Sequence, residues 1–197
     1  MALGTATAPY ELRFGAGRIC LDLLSTTHPE ELLDAVEPLR AWIVGSGLVP
    51  AATPLAHADA AWLVGFRELR GQLGLLLRAG TTAQERPYDL ALGRVNELAR
   101  PAPPAPCVTR ADDGTLTRQL DGPPGCAALL AAVARDALEL LTDPSARAAV
   151  RECEGDNCPL LYLDTSRGRR RRWCSSEVCG NRERVARHRR RAALARA

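Results

Sequence analysis

Between residues 54 and 79, Leu55, Trp62, Phe66, Leu69, Leu73 and Leu76 or Leu77 recur at steps of three, four and seven, the period of one face of a helix. Such a stripe predicts a helix from Pro54 to Ala79 that packs on a partner. A second helix is predicted from Pro87 to Ala99, and a third, strongly apolar one in CAALLAAVARDALELL after Pro123 and Pro124. Upstream, Pro29 to Val36 reads as a helix with Thr27 or His28 near its cap and Glu30 and Glu31 in its first turn, where the helix dipole favours acids. Pro38 restarts the helix, which runs to about Val44 before Gly45 and Gly47 end it.

Other stretches lack helical period. Residues 10–27 read as a short extended segment, a Gly15-Ala16-Gly17 turn and an apolar run containing Asp22. The turn lacks the third glycine and the strand-helix-strand setting of a dinucleotide site. PAPPAP at 101–106 is a stiff connection, and 107–120 reads as two short strands around the turn pair Asp113-Gly114. Pro144 opens a last helix that delivers the chain to Cys153. The predicted fold is mainly α with a small β-hairpin: a helical domain over residues 1–145, then a cysteine-rich unit over 146–197.

Charge sharpens that division. The 197 residues carry 26 basic side chains, all Arg, against 23 acids. Residues 167–197 hold 12 of the Arg and only Glu177 and Glu183 as acids, a net of 12 − 2 = +10, so the rest carries 14 − 21 = −7. A general richness in Arg therefore means little, whereas its clustering points to a polyanion. The N-terminus lacks the basic-then-apolar order of a signal peptide, and no run of about 18 apolar residues suggests a membrane span. A cytoplasmic protein is expected, where grouped cysteines are metal ligands rather than disulfides.

Cys153, Cys158, Cys174 and Cys179 form two C-x4-C pairs. Gly155 and Asn157 suit the tight turn of a knuckle that aims two sulfurs at one ion. Strand character at Leu161 to Leu163, a turn at Ser166 to Gly168 and a return through the arginines to Trp173 predict a hairpin that brings Cys174 back. Cys179 opens a helix capped by Ser175 or Ser176. Knuckle, hairpin and helix together make a treble-clef-like finger around one structural zinc, favoured over an iron-sulfur cluster or two disulfides. Cys20, Cys107 and Cys126 stand singly as small buried hydrophobes, and His188 lies too far along the helix to be a natural ligand.

Arg167, Arg169, Arg170, Arg171 and Arg172 fall on the expected hairpin, and Arg182, Arg184, Arg187, Arg189, Arg190 and Arg191 on the helix. Arg184, Arg187 and Arg191 share one helix face, which the others broaden. So dense a charge suits phosphates, and double-stranded DNA is favoured over RNA because Trp173 is the lone aromatic among the arginines. A solvated tail is the blander reading, and the tail lacks the bulky apolar face of a membrane-surface helix.

The stretch from Cys153 to Arg182, with Asp164-Thr165-Ser166-Arg167, Arg172-Trp173-Cys174 and Cys179-Gly180-Asn181-Arg182 in order, resembles the CGNR zinc-finger family of bacterial regulators. Leu21-Asp22-Leu23-Leu24-Ser25-Thr26 is similar to a run in the ABATE domain that commonly precedes this finger, although Leu23 and Ser25 depart from its aromatic and Asn character. The resemblance implies DNA binding by the finger and sensing of a small-molecule effector, or dimerisation, by the helical domain. It further implies that Cys179 binds zinc, Gly180 permits close packing, Asn181 caps or braces the hairpin, and Arg182 reaches DNA. Asp164 is expected either to pair with a nearby arginine and hold the hairpin or to be a surface aspartate in a turn. Asp22, Thr26, Arg67 and Asn96 are the candidate ligand-binding residues of the helical domain. No catalytic constellation accompanies them, so a non-enzyme is expected; an enzyme with a nucleic-acid-targeting finger and an RNA- or protein-binding adaptor are the alternatives. A single finger offers few base contacts, which is compatible with a homodimer on a paired site.

Overall fold

The computed structural model describes residues 12–78 and 85–194, and side chains as far as Arg191. The helical unit comprises α1 (Ile19–Leu24), α2 (Val36–Gly45), α3 (Ala60–Arg78), α4 (Glu85–Leu98), α5 (Cys126–Thr142) and the short α6 (Pro144–Arg147), with the hairpin β1 (Pro106–Arg110) and β2 (Leu116–Leu120) between α4 and α5. The strands pair antiparallel in the register Val108↔Arg118, on either side of the turn holding Asp113 and Gly114. A second antiparallel hairpin, β3 (Val150–Glu152) with β4 (Leu161–Leu163), and the helix α7 (Cys179–Leu194) form the finger.

The predicted apolar stripe is the heart of the core. Trp62, Phe66, Leu69, Leu73 and Leu76 of α3 are buried against α4, α5 and α1, and α5 answers with Leu129, Val133, Ala137 and Leu140. Trp42 of α2 meets Phe66 edge to face with ring centroids 5.7 Å apart. The helix starts later than expected, because the Asp59 carboxylate accepts the N–H groups of Ala61 and Trp62 and so caps α3 after the Pro54 turn. Ala79 lies outside the described residues.

The predicted helix from Pro29 to Val36 does not form, and α2 begins at Val36 with Pro38 in its first turn. Tertiary partners hold 28–35 open instead. Glu31 forms a bidentate pair with Arg70, itself only 8% exposed, and Leu33 is fully buried. The same Arg70 donates to Thr26 Oγ1 at 2.7 Å. Burial of Leu33 and satisfaction of a buried guanidinium outweigh a short run of modest helix propensity.

The apolar run after the glycine turn is α1, which lies between α3 and α5. It has no side-chain cap of its own. Asp136 of α5 accepts the Cys20 N–H at 3.0 Å and pairs with Arg18 at 2.8 Å, supplying the anion that a helix N-terminus favours. The predicted helix after Pro144 is a single turn, capped by Asp143, and the chain then runs into β3.

The glycine turn also joins the two units. Leu163 of β4 donates to Ala16 O at 2.7 Å, and a Cβ on Gly17, where φ is +92°, would sit 3.0 Å from Leu163 Cβ. Only glycine adopts that conformation at that separation without strain. Leu160, Leu161 and Tyr162 thereby extend the core of the helical unit into the finger.

Candidate metal centre and basic surface

Cys153 follows β3 directly, Cys158 closes the knuckle before β4, Cys174 ends the arginine loop and Cys179 is the first residue of α7. The knuckle turns through Asn157 at φ +57°. A Cβ on Gly155 would lie 3.2 Å from Cys179 Cβ and 3.4 Å from the sulfurs of Cys153 and Cys179, so this position must be open for the two pairs to close. All four sulfurs lie within 4.8 Å of one another, with Cys158 and Cys174 3.7 Å apart and Cys174 and Cys179 3.6 Å apart. A tetrahedral zinc with bonds of about 2.3 Å separates its sulfurs by about 3.8 Å. The geometry fits.

The electrostatics call for a cation. Burial, then the charge of neighbouring sulfurs, pushes the Cys174 thiol well above its ordinary value, and burial with its sulfur neighbours pushes Cys158 up to about 11. Burial also opposes ionisation of Cys153, but the N–H groups of Cys174 and Gly155, at 3.3 and 3.4 Å from its sulfur, outweigh it and lower its pKa. A dication makes four thiolates compatible in one small volume. With all four positions filled by cysteine, the ion has no place for a reactive water and acts structurally. His188 is exposed on α7 and takes no part in the cluster.

The expected return strand through the arginines is absent. β4 pairs with β3 across the knuckle, and residues 164–175 form a loop held by specific side chains. Buried Asp164 accepts from Ser166 N, Ser166 Oγ and the backbone N–H of Arg171, at 2.9, 2.6 and 3.1 Å. The Ser166 hydroxyl, against the cost of burial, and the backbone donors hold its carboxyl below the usual range. Asp164 thus grips the loop through the Ser166 hydroxyl and backbone donors, not through a guanidinium. Fully buried Tyr162 donates to Arg171 O, and Glu154 N–H donates to Arg172 O at 2.9 Å.

The eleven arginines divide by what they touch. Arg171 lies 4.5 Å over the Tyr162 ring and donates to Trp173 O and Cys174 O, so it ties the loop to the metal site. Arg184 donates to Gly180 O and Ser176 O, bracing the start of α7. Arg172 pairs with Glu154 and lies 5.3 Å from the Trp173 ring, while Arg190 pairs with Glu183. Among the described residues, the side chains of Arg167, Arg169, Arg170, Arg182, Arg187, Arg189 and Arg191 have no hydrogen-bonded partner. Beyond Gly180 the described side chains of α7 are exposed or partly so. At 100° per residue, Arg182 and Arg189 fall opposite Arg184, Arg187 and Arg191, so the helix is positive around its circumference rather than on one broadened face.

The CGNR residues have distinct surroundings. Cys179 and Gly180 are buried, and a Cβ on Gly180 would come to 3.5 Å of the Trp173 ring, so Trp173 packs beside the metal site. Asn181 and Arg182 are exposed. Asn181 makes no hydrogen bond to the hairpin among the described residues, so it does not brace it. Arg170, Arg172, Trp173, Ser175 and Ser176, with Phe14, line a groove of about 480 Å³ beside the metal site.

Residues 17–144 match the ABATE family, described as putative stress-induced transcription regulator, and residues 149–192 match the CGNR zinc finger. The chain belongs to the ABATE family. Its CGNR finger holds the four-cysteine centre for one structural zinc. Comparison with curated proteins found no match. Among the described residues no helix is long and apolar enough to cross a membrane.

The candidate ligand residues of the ABATE unit are scattered. Asp22 accepts the N–H groups of Gly15 and Ala16, at 3.0 and 2.9 Å, and burial raises its pKa despite them. Thr26 accepts from Arg70, whereas Arg67 approaches Glu31 and donates to Leu33 O at 2.8 Å. Asn96 is exposed on α4, apart from the others. Sequence reasoning missed Tyr162 and the special place of Arg171. A single Tyr between two ligand pairs was the available signal for the first; nothing separates Arg171 from the rest of its run.

Proposed function

We propose that the chain is a zinc-dependent, sequence-specific DNA-binding regulator that works in the cytoplasm. Its finger, residues 146–197, contacts duplex DNA, and its helical domain, residues 1–145, senses a small ligand or dimerises. The observation that carries this reading is the division of labour among the arginines. Arg171 and Arg184 are spent on the finger's own carbonyls, whereas Arg167, Arg169, Arg170, Arg182, Arg187, Arg189 and Arg191 stand exposed without partners among the described residues. Uncompensated guanidinium groups on a loop tied to the metal site and on an exposed helix suit phosphate oxygens. Asn181 and Arg182, exposed in the first turn of α7, are of the residue types that read adenine and guanine edges in a major groove. The regulatory family descriptions accord with a role that is not catalytic.

The test is the salt dependence of duplex binding by the zinc-loaded chain. If about five phosphates are neutralised, log K falls with log salt at a slope of about −4 to −5. A flat isotherm between low and moderate salt, or no preference for a selected duplex over excess random DNA, would overturn the reading.

A further inference from the structure

A second basic pocket lies away from the arginine loop, at the seam between the ABATE unit and the finger. Arg78 at the end of α3, Arg147 of α6 and Arg151 of β3 line a pocket of about 420 Å³ together with Leu77, Val150 and Leu161. Glu152 is its one acid. Elsewhere in the ABATE unit, Arg67 and Arg70 meet at the carboxylate of Glu31, and Arg94 lies between Glu68 and Glu97. Among the described residues none of Arg78, Arg147 and Arg151 forms an ion pair, although three separate elements bring them to one place. Arg151 is steadied by a hydrogen bond to Ala148 O at 2.9 Å.

The backbone adds donors. Cys153 N–H bonds Leu160 O and Asp164 N–H bonds Ala149 O, so residues 149, 151 and 153 are the hydrogen-bonded positions facing β4. By the alternation of an antiparallel ladder, the N–H groups of Val150 and Glu152 point to the open edge of β3. Guanidinium groups from three directions and two edge amides match an anion with several oxygens, and Leu77, Val150 and Leu161 offer an apolar wall beside it.

We propose that this pocket binds the phosphate group of a small organic phosphate with an apolar body. Arg78 and Arg147 hold the oxygens, and the wall takes the carbon chain. The site does not depend on the DNA reading. It joins the end of α3 to β3, which leads directly into Cys153, so its occupant bridges the two units.

Calorimetric titration of the zinc-loaded full chain at low ionic strength tests the site, with butyl phosphate and inorganic phosphate as probes. Butyl phosphate should saturate one site and bind about fivefold or more tighter than inorganic phosphate, from the apolar wall. The double variant Arg78→Ala/Arg147→Ala should bind it about tenfold or more weakly, with zinc content and melting temperature unchanged. A control variant, Arg187→Ala/Arg189→Ala, should bind it as the parent does. Absence of saturable binding, or equal loss in the control variant, overturns the proposal. Duplex affinity separates the two sources of phosphate. If the Arg78/Arg147 variant loses duplex affinity and its salt slope becomes shallower by about 2, the pocket is a contact to the DNA backbone and the small-molecule reading falls.

Discussion

Arg171 and Arg189 are the same residue type in the same basic cluster, yet their surroundings assign them opposite work. Arg171 is half-buried, stacked on Tyr162 and bonded to two carbonyls of the loop that carries Cys174. Replacing it with Ala strands those carbonyls and should destabilise the finger by about 1–3 kcal/mol, seen as a lower denaturation midpoint and faster loss of zinc to a chelator. Arg189 is exposed and holds nothing among the described residues. Arg189→Ala should leave stability unchanged, weaken duplex binding several-fold and make the salt slope shallower by about 1. If Arg171→Ala altered only the salt slope, or Arg189→Ala only the stability, the division drawn between them would be wrong. Residue type was legible in the sequence at both positions. The role was not, because neighbours in a run of arginines differ only in what the folded chain places beside them.

At the scale of elements, the apolar stripe of α3 and the run of α5 form where their periodicity predicts, because burying a helix face needs a repeating apolar period along the chain. The segment 29–35 is not the helix its sequence predicts. Its Pro, Glu and Glu carry a helix-start pattern, but the partner that decides the matter, Arg70, lies almost forty residues away. Burial works against the Glu31 carboxylate, yet the Arg70 hydrogen bond outweighs it and holds its pKa below the ordinary value. The contribution of this pair to stability is therefore present above the unfolded carboxylate pKa of about 4.3 and disappears as pH falls through the lower folded value. Glu31→Gln should cost about 2 kcal/mol at pH 7, a figure discounted for the partial exposure of Glu31. The difference from the parent should shrink in urea titrations below about pH 4. A difference that persists undiminished at pH 3 would rule out the ion pair as its cause. The arginine segment failed as a strand for a similar reason: β3, read as part of a helix, took the pairing edge of β4.

Across the whole molecule, an acidic helical body carries a strongly basic finger, and the two share one core through Leu160, Leu161 and Tyr162. Structural zinc contributes about 10 kcal/mol or more to a small finger, as much as the whole stability of many domains. Chelation, or Cys158→Ser, should therefore unfold the finger and abolish duplex binding, and the shared core should lower the melting temperature of the remaining helices as well. Circular dichroism and duplex titration with and without chelator check this. Equal binding in both conditions would remove the metal from its structural role.

The sequence by itself determined what depends on spacing and composition. Two C-x4-C pairs specify a four-sulfur cage, helical periodicity specifies α3 and α5, and clustered Arg specifies a basic finger. Tertiary structure decided what depends on meetings between distant residues. It turned the glycine pair at Gly15 and Gly17 into the seat of β4, selected Arg171 and Arg184 as braces, and drew Arg78, Arg147 and Arg151 to one pocket. Local patterns carry the first kind of information because side-chain direction repeats along a helix or strand. The second arises from burial and hydrogen bonding across the chain, which no local window contains.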